Sequence, residues 1–111
     1  MAAQRQWLDE LRPALDLMKQ GQPQKCIEAL EALVARYPGD DLCRALALDG
    51  MGRANFALQR PDAAVQALQE SLALLRAVME KHGFRYFEKE WWHYKLLGEP
   101  FPDTSFDFPV R

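Results

Sequence analysis

The chain has 111 residues, 49% hydrophobic and 27% charged, a composition typical of one small globular unit that excludes fibrous and disordered proteins. Its net charge of −2 provides no basic surface for a phosphate backbone, so we expect no nucleic-acid partner. The apolar runs are short, and the N-terminus has acidic residues where a signal peptide would be apolar. We therefore expect a cytoplasmic protein that does not bind membranes.

Four apolar patterns with the three-and-four spacing of a helix face follow one another in the first 82 residues. Gly21, Pro38-Gly39 and Pro61 separate them, and Pro23 suits the first turn of the second pattern. This organisation indicates a mainly α fold of two antiparallel helical hairpins. The predicted helices lie at about 4–20, 24–37, 41–59 and 62–82.

Residues 15–38 and 52–76 resemble the tetratricopeptide repeat, in which small residues lie where paired helices touch. A longer turn separates the two units, and Asp40 or Asp41 can cap the third helix with its carboxylate. The resemblance implies a scaffold that holds a protein or peptide partner in a groove, although the same residues also serve simply as core. The matching positions are Gly21, Cys26, Leu30 and Pro38 in the first unit and Gly52, Ala64, Leu68 and Ser71 in the second.

Two repeats are fewer than the roughly three that such stacks usually need, so the fold should present an apolar end face. Self-association or the C-terminal tail would cover that face. Arg36, Arg53 and Arg60 are candidate binding residues for carboxylates of a partner, and the alternative is that they are ordinary solvated charges. Cys26 and Cys43 lack a metal-ligand or CxxC spacing and are expected to be reduced, packed thiols.

The composition changes after Ala77, and we place a boundary there between a helical unit, 1–77, and a second segment, 78–111. Alanine is absent from this segment and aromatic residues become frequent. Gly83 is expected to end the fourth helix in a left-handed conformation. Aromatic residues and alternation then predict a β-hairpin with strands at 84–87 and 91–95, followed by a tail that its prolines keep extended.

The segment from about residue 75 to residue 111 resembles the C-terminal end of the D-alanyl-D-alanine dipeptidases, zinc metallopeptidases (hydrolases) of cell-wall metabolism. The resemblance implies that Glu90 is the general base and that His93 is a zinc ligand. Without it, a glutamate three residues from a histidine is a weak signal, and the tryptophans between them are more often packing residues. The carrying motifs are Gly83-Phe84, Glu90-Trp91-Trp92-His93, Glu99–Thr104 and Phe106–Pro109.

The ligand set for zinc is incomplete in this chain, because a catalytic zinc needs about three protein ligands. The resemblance implies that the remaining ligands, a histidine and an aspartate, come from an upstream motif, yet residues 1–77 contain no histidine. His82 is at a position that the family does not use. Asp103 and Asp107 would act as ligands only after a rearrangement of the tail.

Two functional hypotheses follow. The first is a protein-interaction module in which the hairpins bind a partner and the aromatic tail packs on the helices, with no catalytic competence of its own. The second is a zinc-dependent D-alanyl-D-alanine dipeptidase, or a relic of one, in which Glu90 and His93 act with ligands from another chain.

Overall fold

The computed structural model of the chain describes residues 6–83, and these residues form four α-helices without a strand. The mainly α prediction is confirmed for this part of the chain. The predicted β-hairpin at 84–87 and 91–95 and the tail after it lie outside the described residues. The helices are α1 (Gln6–Lys19), α2 (Pro23–Arg36), α3 (Asp41–Ala57) and α4 (Pro61–His82).

The turn between α1 and α2 follows from one glycine and one proline. Gly21 has a φ of 74°, and its N–H donates to the carbonyl of Met18 while the next N–H, of Gln22, donates to Leu17 at 2.9 Å. This pair of bonds is the Schellman arrangement, which uses the last carbonyls of a helix. Pro23 then starts α2 at a position where its missing N–H costs no helical bond.

The end of α3 is two residues earlier than the predicted position 59. Gln59 has a φ of 60°, and the N–H of Arg60 donates to the carbonyl of Asn55 at 2.9 Å. These features form the same Schellman arrangement, with glutamine in the place that glycine usually takes. The apolar pattern alone did not indicate it, because glutamine is compatible with continued helix.

Asp40 joins two parts of the fold through its carboxylate. Its Oδ1 accepts from the backbone N–H of Cys43 at 2.9 Å, which caps α3, and its Oδ2 accepts from Nε1 of Trp7 on α1 at 2.8 Å. Of the two aspartates proposed as the cap, Asp40 is the one used. The Trp7 side chain is buried, so its indole N–H depends on this acceptor.

We predict that Asp40→Ala lowers the free energy of unfolding by about 2–3 kcal/mol, because it removes a helix cap and leaves the Trp7 N–H without an acceptor. The control is Asp41→Ala, which removes an exposed carboxylate in the same turn and should cost only about 0.5 kcal/mol. Urea unfolding followed by circular dichroism measures both. Equal decreases in the free energy of unfolding for the two variants would show that the hydrogen bonds of Asp40 do not contribute specifically to stability.

The core lies between the helices, and α3 packs against each of the other three. Accordingly, α3 has small side chains on several sides, and Ala45, Ala47 and Ala54 are completely buried. Phe56, near the C-terminal end of this helix, is 73% exposed although it is a large apolar residue. The largest buried side chains are those of Trp7, Leu11, Leu30, Leu33, Leu46, Cys26 and Cys43.

The helices α3 and α4 approach each other closely at Gly52. A Cβ atom at this position would lie 2.7 Å from Cγ of Leu68 and 3.2 Å from the carbonyl oxygen of Ala64. A second tight contact is the hydroxyl of Ser71, which donates to the carbonyl of Ala45 at 2.7 Å in a buried position. Small residues therefore lie where the helices of the second hairpin touch, as the repeat pattern predicts.

We predict that Gly52→Ala destabilises the protein by about 1 kcal/mol or more, because the overpacking cost exceeds the gain in helix propensity. Gly39→Ala is the control, since a Cβ there meets nothing within 4 Å and the residue lacks a positive φ. Thermal and urea unfolding of the two variants give the comparison. A Gly52→Ala protein as stable as the wild type would mean that α3 and α4 separate easily.

Gly83 ends α4 with a φ of 90°, and its N–H donates to the carbonyl of Met79 at 2.8 Å. The predicted termination is correct, although its ψ of 158° is extended and differs from that of a left-handed helical residue. Within residues 6–83, none of the helices combines the length and the apolar character required to cross a membrane.

Candidate functional site

The candidate catalytic residues, Glu90 and His93, lie outside the described residues. The arginines proposed for binding lie within them, each with a different partner. On α2, Arg36 forms an ion pair with Glu10 of α1, and its Nε donates to the same carboxylate at 2.8 Å. The Arg53 guanidinium lies 3.3 Å from the carboxylate of Asp49, one turn earlier on α3.

The third candidate, Arg60, precedes α4, and its Nη1 lies 3.4 Å from Oε1 of Gln24 on α2. A further arginine, Arg44, forms an exposed ion pair with Glu70 at 2.8 Å, which links α3 to α4. Each of these guanidinium groups therefore contacts a side chain of the same protein. Exposed pairs of this kind contribute little to stability, about 0–1 kcal/mol each.

Glu10, Arg36 and Tyr37 form a polar cluster at the end of the first hairpin. The Tyr37 hydroxyl donates to the Glu10 carboxylate, and this bond together with the Arg36 guanidinium lowers the pKa of Glu10. The same hydrogen bond raises the pKa of Tyr37. The cluster is therefore intact between the ordinary pKa values of the two groups, 4.5 and 10.0.

We predict that Tyr37→Phe lowers the melting temperature at neutral pH and that the difference from wild type shrinks as the pH falls below 4.5. The sign follows from linkage: a carboxyl group with a lowered folded-state pKa stabilises the fold above its unfolded pKa and loses that effect on protonation. Glu10→Gln should behave in the same way, and Glu31→Gln, at an exposed position of α2, is the control. A difference that stays constant with pH would assign Tyr37 a packing role only.

A cavity of about 440 Å³ lies beside the C-terminal end of α4. Asp40 and Asp41 contribute carboxylates to it, while Lys81 and His82 contribute an ammonium group and an imidazole. Both signs of charge are present, so the cavity does not select for an anion or for a cation. Its other lining residues are Tyr37, Gly39, Leu42 and Val78.

A second groove, of about 380 Å³, runs between α1 and α2. Pro13 lies inside α1 on this groove and cannot donate a helical hydrogen bond. Its lining is mainly apolar, and the charged members are Glu10 and Arg36. It is lined by Glu10, Pro13, Ala14, Leu17, Ala29, Ala32 and Arg36.

An apolar stripe, formed by Val65, Leu68 and Leu72, lies on the outer side of α4. These side chains are 53%, 38% and 61% exposed, and their spacing places them on one side of the helix. Ala64, Ser71 and Val78 make up the buried side of the same helix. The sequence pattern indicated one apolar face for α4, but the structure shows a buried face and this separate stripe.

The described residues do not provide a zinc site. No group of three His, Cys, Asp or Glu side chains within residues 6–83 is placed to hold a metal ion. Cys26 and Cys43 are free and buried, as predicted, and burial raises their pKa values to about 11 and about 12. Both thiols are thus protonated at neutral pH, when they act neither as nucleophiles nor as thiolate ligands.

Comparison with known families matches both parts of the chain. The family model described as tetratricopeptide repeat matches residues 12–77, and the family model described as D-ala-D-ala dipeptidase matches residues 48–111. Each match covers more than half of the 111 residues. The chain belongs to both families. The two resemblances found in the sequence are confirmed, and the matches overlap at 48–77, in the hairpin of α3 and α4.

Three similar proteins bear the name D-alanyl-D-alanine dipeptidase. The Enterococcus faecalis protein is 58% identical over 36 residues, the Enterococcus faecium protein 54% over 37, and the Streptomyces coelicolor protein 56% over 36. These stretches are 32–33% of this chain and 18% of each relative. The chain therefore spans less than a fifth of the length of these dipeptidases. No solved structure matches it.

Proposed function

We propose that the chain is a protein-interaction module whose helical hairpins bind a protein or peptide partner, and that its dipeptidase-related segment is not catalytically competent alone. The observation that carries the interaction role is the exposed apolar stripe of Val65, Leu68 and Leu72, a surface that helical repeats normally cover with another helix. Contiguous exposed apolar residues mark contact sites.

Buried, reduced thiols support a cytoplasmic location.

The stripe, and not the arginines, is the contact surface that we propose. Arg36 and Arg53 pair with carboxylates of this chain, and Arg60 contacts an amide. At the exposed Arg36 a partner carboxylate would have to displace Glu10 for a small gain in free energy. The Arg53 pair is largely buried, so a partner carboxylate has little access to it. An apolar partner surface, in contrast, removes three partly exposed side chains from water, at about 25 cal/mol per Å² of buried apolar area.

The lack of catalytic competence rests on the number of available ligands. The chain has two histidines, His82 and His93, and within 6–83 no cluster of ligating side chains accompanies His82. A zinc site in a peptidase needs about three protein ligands together with an open position for water. Residues 84–111 would have to supply the remaining ligands from Asp103, Asp107 or other carboxylates.

The alternative proposal is a zinc-dependent D-alanyl-D-alanine dipeptidase, or its relic, completed by ligands from another chain. The identity of 58% over 36 residues to a protein of that name favours it. In this alternative, His93 would hold zinc and Glu90 would serve as the general base, while zinc would activate a water molecule as the nucleophile. When bound, zinc would lower the pKa of that water toward about 7.

We predict that the purified full chain contains no stoichiometric zinc and does not hydrolyse D-Ala-D-Ala. Atomic absorption and a ninhydrin assay for released D-alanine are the measurements. Because the chain has two histidines, His93→Ala and His82→Ala form a matched pair.

One zinc per chain that is lost in His93→Ala but kept in His82→Ala would overturn the non-catalytic proposal. Glu90→Gln would then separate the two roles. Under the alternative this variant keeps zinc and loses hydrolysis, because the glutamate acts on the water and does not hold the metal.

A further inference from the structure

The exposed apolar stripe of Val65, Leu68 and Leu72 requires another surface to cover it. The position of the stripe on α4 limits which surface can do so. The stripe lies on the last helix of the described residues, along the edge of the α4 side that is buried against α3. Leu68 belongs to both surfaces, because its Cγ reaches Gly52 of α3 while 38% of the residue stays exposed. The stripe is thus continuous with the contact between α3 and α4.

The segment after α4 has the composition to cover this stripe. Residues 84–111 contain every aromatic residue of the chain except Trp7, Tyr37 and Phe56. Aromatic side chains bury about 150–250 Å² each, so two or three of them have enough apolar area to cover a stripe of one valine and two leucines.

The segment is also long enough to reach the stripe. From Val65 to His82, α4 rises by about 26 Å, at about 1.5 Å per residue. An extended chain of about eight residues spans this distance, at about 3.3 Å per residue. The segment has 28 residues, from 84 to 111, and it starts where Gly83 ends the helix with a positive φ.

The family match favours the chain's own segment over a second copy. The dipeptidase match covers residues 48–111, so the C-terminal part of α3, all of α4 and the segment lie within one family match. A stretch that one family keeps together is expected to share a core. Pairing of α4 with a second copy would leave the aromatic residues of the segment without an apolar surface.

We propose that residues 84–111 pack on the stripe of Val65, Leu68 and Leu72 in the same chain. This proposal rests on the proposed function, because both treat the stripe as a contact surface. It adds that the chain's own segment covers the stripe. Partner binding at the stripe then competes with the chain's own segment.

The test uses the full chain with Leu72→Glu, which places a charge at the C-terminal end of the stripe. Gln66→Glu is the control, because it adds the same charge at an exposed position of α4 about 120° around the helix from the stripe. Trp91 and Trp92 are the reporters, since the remaining tryptophan, Trp7, is 2% exposed and barely accessible to a quencher. Acrylamide quenching is measured together with sedimentation and far-UV circular dichroism.

We expect the quenching constant to rise about twofold in Leu72→Glu, because a buried charge disrupts apolar packing, and to stay unchanged in Gln66→Glu. The wild type and both variants should sediment as monomers with equal helix content. Val65→Glu should reproduce the increase, which guards against an effect peculiar to Leu72.

Unchanged quenching in both stripe variants would overturn the inference. A wild-type dimer that Leu72→Glu converts into a monomer would also overturn it, since a second copy would then cover the stripe, while the proposed interaction role would stand. Zinc content measured on the wild-type sample tests the non-catalytic proposal separately, because it does not depend on displacing the segment.

Discussion

The structure depends on the packing of α3 against three other helices at once. A helix with neighbours on several sides has no broad solvent face, so small residues must let the backbones approach. Ala45, Ala47 and Ala54 are completely buried for this reason, and Gly52 lies where an added Cβ would reach Leu68. Tight packing of this kind tolerates little change in volume. The position of α4, and with it the orientation of the stripe, is therefore fixed by side chains of α3.

The Asp40 carboxylate complements this packing at one end of α3. It satisfies the N–H of Cys43 and the indole N–H of Trp7, and so it joins the first turn of α1 to the start of the second hairpin. The bonds connect residues 33 positions apart in sequence. A local cap thus acts also as a long-range contact that joins the first hairpin to the second.

Features of the fold and of the candidate site could be predicted from the sequence where residues close together in sequence determine them. Spacing and the chemistry of single residues correctly predicted the number of helices in the described residues. They also predicted the roles of Gly21 and Pro23 and the burial of both thiols. The exposure of Phe56 and of the α4 stripe depends on which helices are present to cover them, and periodicity carries no such information. The choice of Asp40 over Asp41 required the position of Trp7. Likewise, the cluster of Glu10, Arg36 and Tyr37 joins residues 26 and 27 positions apart, and the sequence contains no signal for it. The roles of Glu90 and His93 stay predictions.

The overlap of the two family matches at 48–77 has a physical explanation in helix packing. An antiparallel hairpin needs small residues at the contact and apolar residues beside it, and α3 and α4 provide both at Gly52, Ala64 and Ser71. The repeat pattern imposes this requirement, and the dipeptidase match covers the same hairpin residues, 48–77. What the repeat family does not require is an apolar stripe on α4 followed directly by an aromatic segment. Packing of that segment on the stripe would fix Glu90 and His93 relative to the hairpins, in the place where the rest of a longer dipeptidase would otherwise hold them. The hairpins would then determine whether His93 meets further zinc ligands beside Glu90.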